Sequence, residues 1–154
     1  MKITKKIVLE PAALSDIKTN LLIKIKSDFK DKCTKDYGFI LEIYDSIKIL
    51  SNTIIDNGSV LFEVIFNADV LKPDQGQIMS GKVIIVIDSG FIISVKDRMK
   101  IFVPRDQCGE YKYNKSNSCY ENGTKKIKNT DAIKVKIYCI KYEQQKYECL
   151  GSLV

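Results

Sequence analysis

Six side chains in one short stretch have the chemistry of a nucleic-acid contact: Phe91, Lys96, Arg98, Lys100, Phe102 and Arg105. An aromatic ring gives a base a face to stack on, and lysine or arginine neutralises phosphate. The stretch reads GFIISVKDRMKIFVPRD, with both rings inside alternating apolar runs. A ring that points outward can stack, and a ring that points inward belongs to a core. Other chemistries lack their residues. The chain has no histidine, no G-x-S-x-G and no G-x-x-x-x-G-K-[ST]. Asp28, Asp31 and Asp36 interleave with Lys30, Lys32 and Lys35, which reads as a solvated face rather than a metal site. No catalytic residue, metal or cofactor is expected.

The chain has 154 residues, 45% of them hydrophobic, enough for one domain core or two very small ones. The net charge of +6 is uneven, about +1 over residues 1–73 and +5 over 74–154. A basic second half suits phosphate or an acidic protein surface, and a merely solvated basic face explains it equally. Cys33, Cys108, Cys119, Cys139 and Cys149 are odd in number and form no C-x-x-C pair. They read as buried thiols rather than as a zinc site or a disulfide framework. No apolar run reaches the roughly 18–20 residues that span a bilayer. Glu10 and Pro11 interrupt the N-terminus before a signal-length run forms, so an intracellular, soluble protein without a membrane partner or small-molecule substrate is expected.

These residues need elements to position them. Lys2 to Leu9 reads as a first strand. Leu14, Ile17, Leu21, Ile25 and Phe29 then recur at the helical period, predicting a helix from about Ser15 to Lys32 capped by Ser15 or Asp16. FILEIYD and SIKIL read as two strands joined at Asp45-Ser46. Asn57-Gly58 is a turn dipeptide, because both residue types tolerate positive φ. Val60, Phe62, Val64, Phe66, Ala68 and Val70 alternate on one face of a long strand that Lys72-Pro73 ends.

The second half has a different texture. GQIMSGKVIIVIDSG is a long strand with Gly81 inside it, where a bulge or bend can form. FIISV, MKIFVP, DAIKVKIYCIKY and YECLGSLV follow. The polar stretch from Arg105 to Asp131 reads as a loop with short structure, whose Lys112, Lys115, Lys125, Lys126 and Lys128 are most simply solvated. Five short strands bent at glycines suit an OB-type Greek-key barrel. The predicted class is α+β: an N-terminal α/β plug over 1–73, one long helix on an antiparallel sheet, followed by a five-stranded OB-fold barrel over 74–154.

The order of these features, DNGSVLFEVIFNADVLKP at 56–73, GQIMSGKVIIVIDSGFIISV at 76–95, MKIFVPRD at 99–106 and the closing YECLGSLV, resembles the stalk subunit of multisubunit DNA-directed RNA polymerases. That family includes the seventh subunit of eukaryotic RNA polymerase II and its archaeal counterpart. VLEPAALSDIKTNL at 8–21 and YENGT at 120–124 look most like the small poxviral RNA polymerase subunit of this type. The resemblance implies a non-catalytic subunit that docks on the polymerase core near the clamp and the RNA exit path. It implies large core subunits as partners, with nascent RNA or initiation factors nearby. For a poxviral member it implies the host cytoplasm and the virion. Carried over by position, the core interface is Pro11, Ala12, Ala13 and Leu14 with Ile54, Ile55, Asn57, Gly58 and Ser59. On the residues alone, Asn57-Gly58 reads first as a plain hairpin turn, and only the resemblance sets a docking role level with it.

Two other readings stay open. A free-standing OB-fold protein of translation or RNA processing would bind single-stranded RNA without a polymerase. A structural protein would use the basic half to hold an acidic partner. The half-buried strand Val60–Val70 counts for the polymerase reading, since a plain OB protein has no need of it.

Overall fold

The computed structural model describes all 154 residues. The chain divides into two compact units, Met1–Leu71 and Lys72–Val154.

In the first unit, strand β1 (Lys2–Leu9) leads through a 3-10 turn (Pro11–Asp16) into helix α1 (Ile17–Phe29). Strands β2 (Cys33–Thr34), β3 (Gly38–Ile54) and β4 (Val60–Leu71) complete a four-stranded antiparallel sheet of order β1-β4-β3-β2. The helix starts later than its periodicity suggests, because the chain enters it through the 3-10 turn. Asp16 caps it, its carboxylate accepting from the Thr19 N–H at 3.4 Å. It also ends earlier, at Phe29. There Asp31 N–H donates to Ile40 O at 2.9 Å and Ile40 N–H donates to Lys32 O at 2.8 Å. Strand pairing thus takes residues that the helical period would have claimed. Leu21 and Ile25 on the helix bury against Ile3, Ile7, Phe62, Val64 and Phe66 of the sheet. Each such side chain stabilises the fold by roughly 1.5–3 kcal/mol relative to exposure.

The alternation expected of β4 is present: Phe62, Val64, Phe66 and Ala68 are buried, with half-buried residues between most of them. The two strands expected on either side of Asp45-Ser46 are instead one strand of 17 residues, β3. Its pairing with β4 breaks register between Ile40 and Glu42, Ile43 and Ile47, and Ile49 and Ser51. Bulges absorb the extra residues and bend the strand, so Asp45-Ser46 needs no turn.

In the second unit, β5 (Ile78–Ile87), β6 (Gly90–Val95), β7 (Met99–Pro104), β11 (Ala132–Glu143) and β12 (Lys146–Leu153) close a barrel of order β11-β12-β7-β6-β5. This is the expected five-stranded OB-fold. Closure comes from parallel pairing of β12 with β7, Glu148 opposite Lys100 and Leu150 opposite Phe102. Val83, Phe91, Ile93, Ile101, Val103, Val135 and Ile137 fill the interior. Gly81 sits where a Cβ would lie 2.9 Å from Ser94 O, so the close crossing of β5 and β6 requires glycine there.

The polar stretch read as a loop with short structure holds three short strands, β8 (Lys112–Asn114), β9 (Cys119–Asn122) and β10 (Lys125–Ile127), paired as an antiparallel sheet. Cys119, Tyr120 and Ile127 are its buried residues, and Tyr120 is the largest of them. Tyr120 is fully buried, its ring centroid 5.6 Å from that of Phe91. Its hydroxyl donates to Ile87 O at 2.6 Å and also lies 3.1 Å from Asp88 O. No disulfide forms. Cys108, Cys119 and Cys149 are buried as expected, Cys33 is half-buried, and Cys139 departs from the expectation by being exposed.

Burial holds the Tyr120 phenol neutral, its pKa pushed up from 10.0 to about 12. Burial likewise moves the Cys108 and Cys149 thiols from 9.0 to about 11. The unfolded chain therefore releases these protons before the folded chain does. Stability is full below pH 9 and falls as pH rises through about 11 to 12. Tyr120→Phe is expected to cost about 1–2 kcal/mol near neutral pH, through the lost hydroxyl bond. It is also expected to flatten the alkaline decline, as denaturant titrations across the alkaline range would read.

Candidate docking tip and barrel face

Two segments far apart in sequence meet at one end of the first unit. Leu9 pairs with Val60, and Val60 with Ile54, so the end of β1, the start of β4 and the end of β3 lie side by side. The chain leaves this row through Pro11–Leu14 on one side and through the hairpin Ile55–Ser59 on the other. A Cβ built on Gly58 would stand 3.5 Å from Pro11 Cγ, ordinary contact distance.

The hairpin is held by its backbone. Ile55 N–H donates to Ser59 O at 2.8 Å, and Ser59 N–H to Asp56 O at 3.4 Å. Asn57 and Gly58 both take positive φ, 66° and 76°. The 3-10 turn is pinned too: Ala13 N–H donates to Glu10 O at 2.9 Å, and Asn20 Nδ2 donates to Ala13 O at 2.8 Å. Ala13 and Leu14 pack partly against the core. The apolar surface on offer is therefore Pro11, Ala12, Ile55 and above all Ile54, which is 77% exposed. Asn57 and Gly58 are exposed beside them, and Ser59 is half-buried.

The barrel separates the six residues proposed for nucleic acid. Phe91 is fully buried between β5 and β7, against Tyr120, and has no face for a base. A stacking role there is corrected to a core role. Phe102 points outward and is half-buried, and Lys100 is exposed on the same strand. Lys96 and Arg98 are exposed at the β6–β7 turn, where Lys96 and Asp97 take φ of 52° and 57°. Arg105 is exposed beyond the opposite end of β7 and pairs with Asp88 at 3.1 Å. The cations thus flank the strand rather than forming one cluster.

Phe102 lines an apolar groove of about 360 Å³ with Ile92, Leu150 and Cys139, edged by Lys100, Lys141 and Glu148. Cross-strand register builds it: Ile92 pairs with Phe102, Phe102 with Leu150, and Leu150 with Cys139. Sequence reasoning missed Ile92, Leu150 and Cys139. The only signal for them is the outward half of each alternation, and it becomes a groove only once β12 is known to pair with β7. The lysines of the β8–β10 sheet stand exposed, and of these Lys126 pairs with Glu121 at 3.8 Å. No group of three or more His, Cys, Asp or Glu could hold a metal ion. No helix is long and apolar enough to cross a membrane.

No family model matches the chain. Among curated proteins, it is 34% identical over 92 residues to the RNA polymerase II subunit RPB7 of Saccharomyces cerevisiae, covering 58% of this chain and 53% of that one. It is 27% identical over 139 residues to the rpb7 subunit of Dictyostelium discoideum, covering 84% of this chain and 78% of that one. It is 27% identical over 90 residues to the RNA polymerase III subunit rpc8 of Schizosaccharomyces pombe, covering 58% and 44%. The chain is thus similar in sequence to subunits of RNA polymerases II and III. The match spans about half the length of the yeast relatives. Among solved structures, the apo form of Mycoplasma genitalium RNase R covers 52% of this chain and 13% of that one at 14% identity, with a TM-score of 0.43, too weak to bear on the fold.

The hairpin geometry has a direct test. Asn57→Val places a β-branched residue at φ 66° and is expected to cost the first unit about 1–2 kcal/mol. Asn57→Gly is expected to stay near wild type. Chemical denaturation of the full chain, followed through amide signals of β1 and β4, reads both.

Proposed function

We propose that this chain is a non-catalytic subunit of a DNA-directed RNA polymerase, docking on the core near the clamp and the RNA exit path. Family-level similarity to RPB7 and rpc8 subunits supports the polymerase assignment. The observation that supports the docking site is the nearness of Gly58 to Pro11, where an added Cβ would stand 3.5 Å from Pro11 Cγ, so that both segments of the implied interface lie at one exposed end. In this reading residues 1–73 form the plug and 74–154 the OB domain. The plug inserts Pro11, Ala12, Ile54 and Ile55 into an apolar recess of the large subunits, and Asn57, Gly58 and Ser59 meet polar groups at its rim. Ala13 and Leu14 support the tip from beneath.

The barrel then lies beside nascent RNA or initiation factors. Phe102 and Lys100 face outward together, with Lys96 and Arg98 at one end of β7 and Arg105 at the other. The likeness of residues 8–21 and 120–124 to the poxviral protein widens the proposal to a viral polymerase, working in the host cytoplasm and packaged in the virion.

A tagged full chain drawn from its native source under a high-salt wash tests the docking. Wild type is expected to retain two very large subunits. Ala12→Asp with Ile54→Asp, both at exposed positions, is expected to lose them while melting as wild type does. Recovery of nucleic acid alone, released by nuclease, would overturn the polymerase reading. A separate titration with a fluorescent single-stranded RNA of about 15 nucleotides tests the barrel face. Phe102→Ala with Lys100→Glu is expected to weaken binding about tenfold or more, and wild-type binding to fall with salt. Equal affinity of variant and wild type would remove RNA from this face.

A further inference from the structure

The two edges of the first sheet are treated differently. Edge strand β1 carries Lys2, Lys5 and Lys6 within eight residues, charges that discourage another strand from pairing there. The other edge belongs to β3. β2 pairs only with Gly38 and Phe39, and the backbone of Ile40 is bonded to Asp31 and Lys32. From Leu41 to Ile54 no strand lies on that side, and this run holds one lysine and no proline. Tyr44, Leu50 and Ile54 are exposed along it, and Ile23 of α1 is exposed as well.

Helix α1 runs beside this edge. Lys26 and Lys30 reach across to Asp45 at 2.6 Å and Glu42 at 3.8 Å. Between helix and edge lies a groove of about 310 Å³ lined by Lys18, Thr19, Leu22, Asp45, Ser46 and Ile47. Its acids are already neutralised: Asp45 is held by Lys26, and neighbouring Glu42 by Lys30. Lys18 in the groove and Lys48 on the strand have no acidic partner.

We propose that the open edge of β3 and the groove beside α1 receive an extended acidic segment of a partner protein, added to the sheet as a further strand. An unpaired strand edge is completed by another extended backbone. Alternate side chains of that segment would face Leu22 and Ile47, and its carboxylates would meet Lys18 and Lys48. The site is independent of the polymerase assignment.

The test uses the immobilised full chain and a displayed library of random peptides of about ten residues, a length matched to the open edge. Selected peptides are expected to be rich in Asp or Glu alternating with apolar residues. They should slow amide exchange within residues 44–54. Thr19→Trp fills the groove from an exposed helix position without touching the cap, which uses only the Thr19 backbone. It is expected to weaken the peptides about tenfold or more, and Lys18→Glu with Lys48→Glu to weaken them severalfold. Slowing of the same amides by raised protein concentration alone would assign the edge to a second copy and overturn the proposal. So would peptides that bind Thr19→Trp unchanged, protect other segments, or fail to emerge.

Discussion

The N-terminal unit depends on one strand. β4 is paired on both sides, with β1 from Asn67 to Val60 and with β3 along nearly its whole length from Leu71 to Val60. Its buried face carries Phe62, Val64, Phe66 and Ala68, against which the helix packs. A slip of one residue would turn all four toward the wrong face of the sheet. The same register brings Leu9, Val60 and Ile54 to one row. The tip is therefore a consequence of core packing, and its geometry is inherited from residues well inside the sheet.

The barrel relies on a different constraint, closure. Parallel pairing of β12 with β7 joins the end of the chain to the middle of the unit. It seals the interior around Phe91, Ile93 and Ile101 and lines up the outward residues of β6, β7, β12 and β11. The candidate face on this barrel is more apolar than basic. Phe102, Ile92 and Leu150 dominate the groove, and cations stand at its margins.

Local periodicity made most elements legible. The β1 bounds, the alternation of β4, the hairpin at Asn57-Gly58 and the five barrel strands all follow from spacing and turn chemistry. Features that depend on distant partners did not. The join expected at Asp45-Ser46 fails because bulges against β4, invisible without the pairing, carry β3 through it. The short structure expected after Arg105 proves to be three strands, whose bounds spacing could not give because three or four residues leave no period to detect. Phe91 and Phe102 sit in similar apolar runs, and only barrel register assigns one to the core and the other to the surface. The tip residues came from a resemblance and not from spacing. The proximity of Pro11 to Gly58 adds what neither segment shows by itself.

Tyr120 gives the inserted sheet an unusual standing. Its ring packs at a tilt against both Phe91 and Tyr113, and its hydroxyl is tied to the backbone where β5 ends. The insertion therefore covers the barrel wall, fastened most deeply by Tyr120, with Cys119 and Ile127 also buried. Its outer turns around Lys115–Ser118 and Gly123 can vary in length and charge among related chains without disturbing the barrel. Excising the whole segment would strip the cover from a core aromatic. Sequence drift should accordingly concentrate in those turns and spare Tyr120.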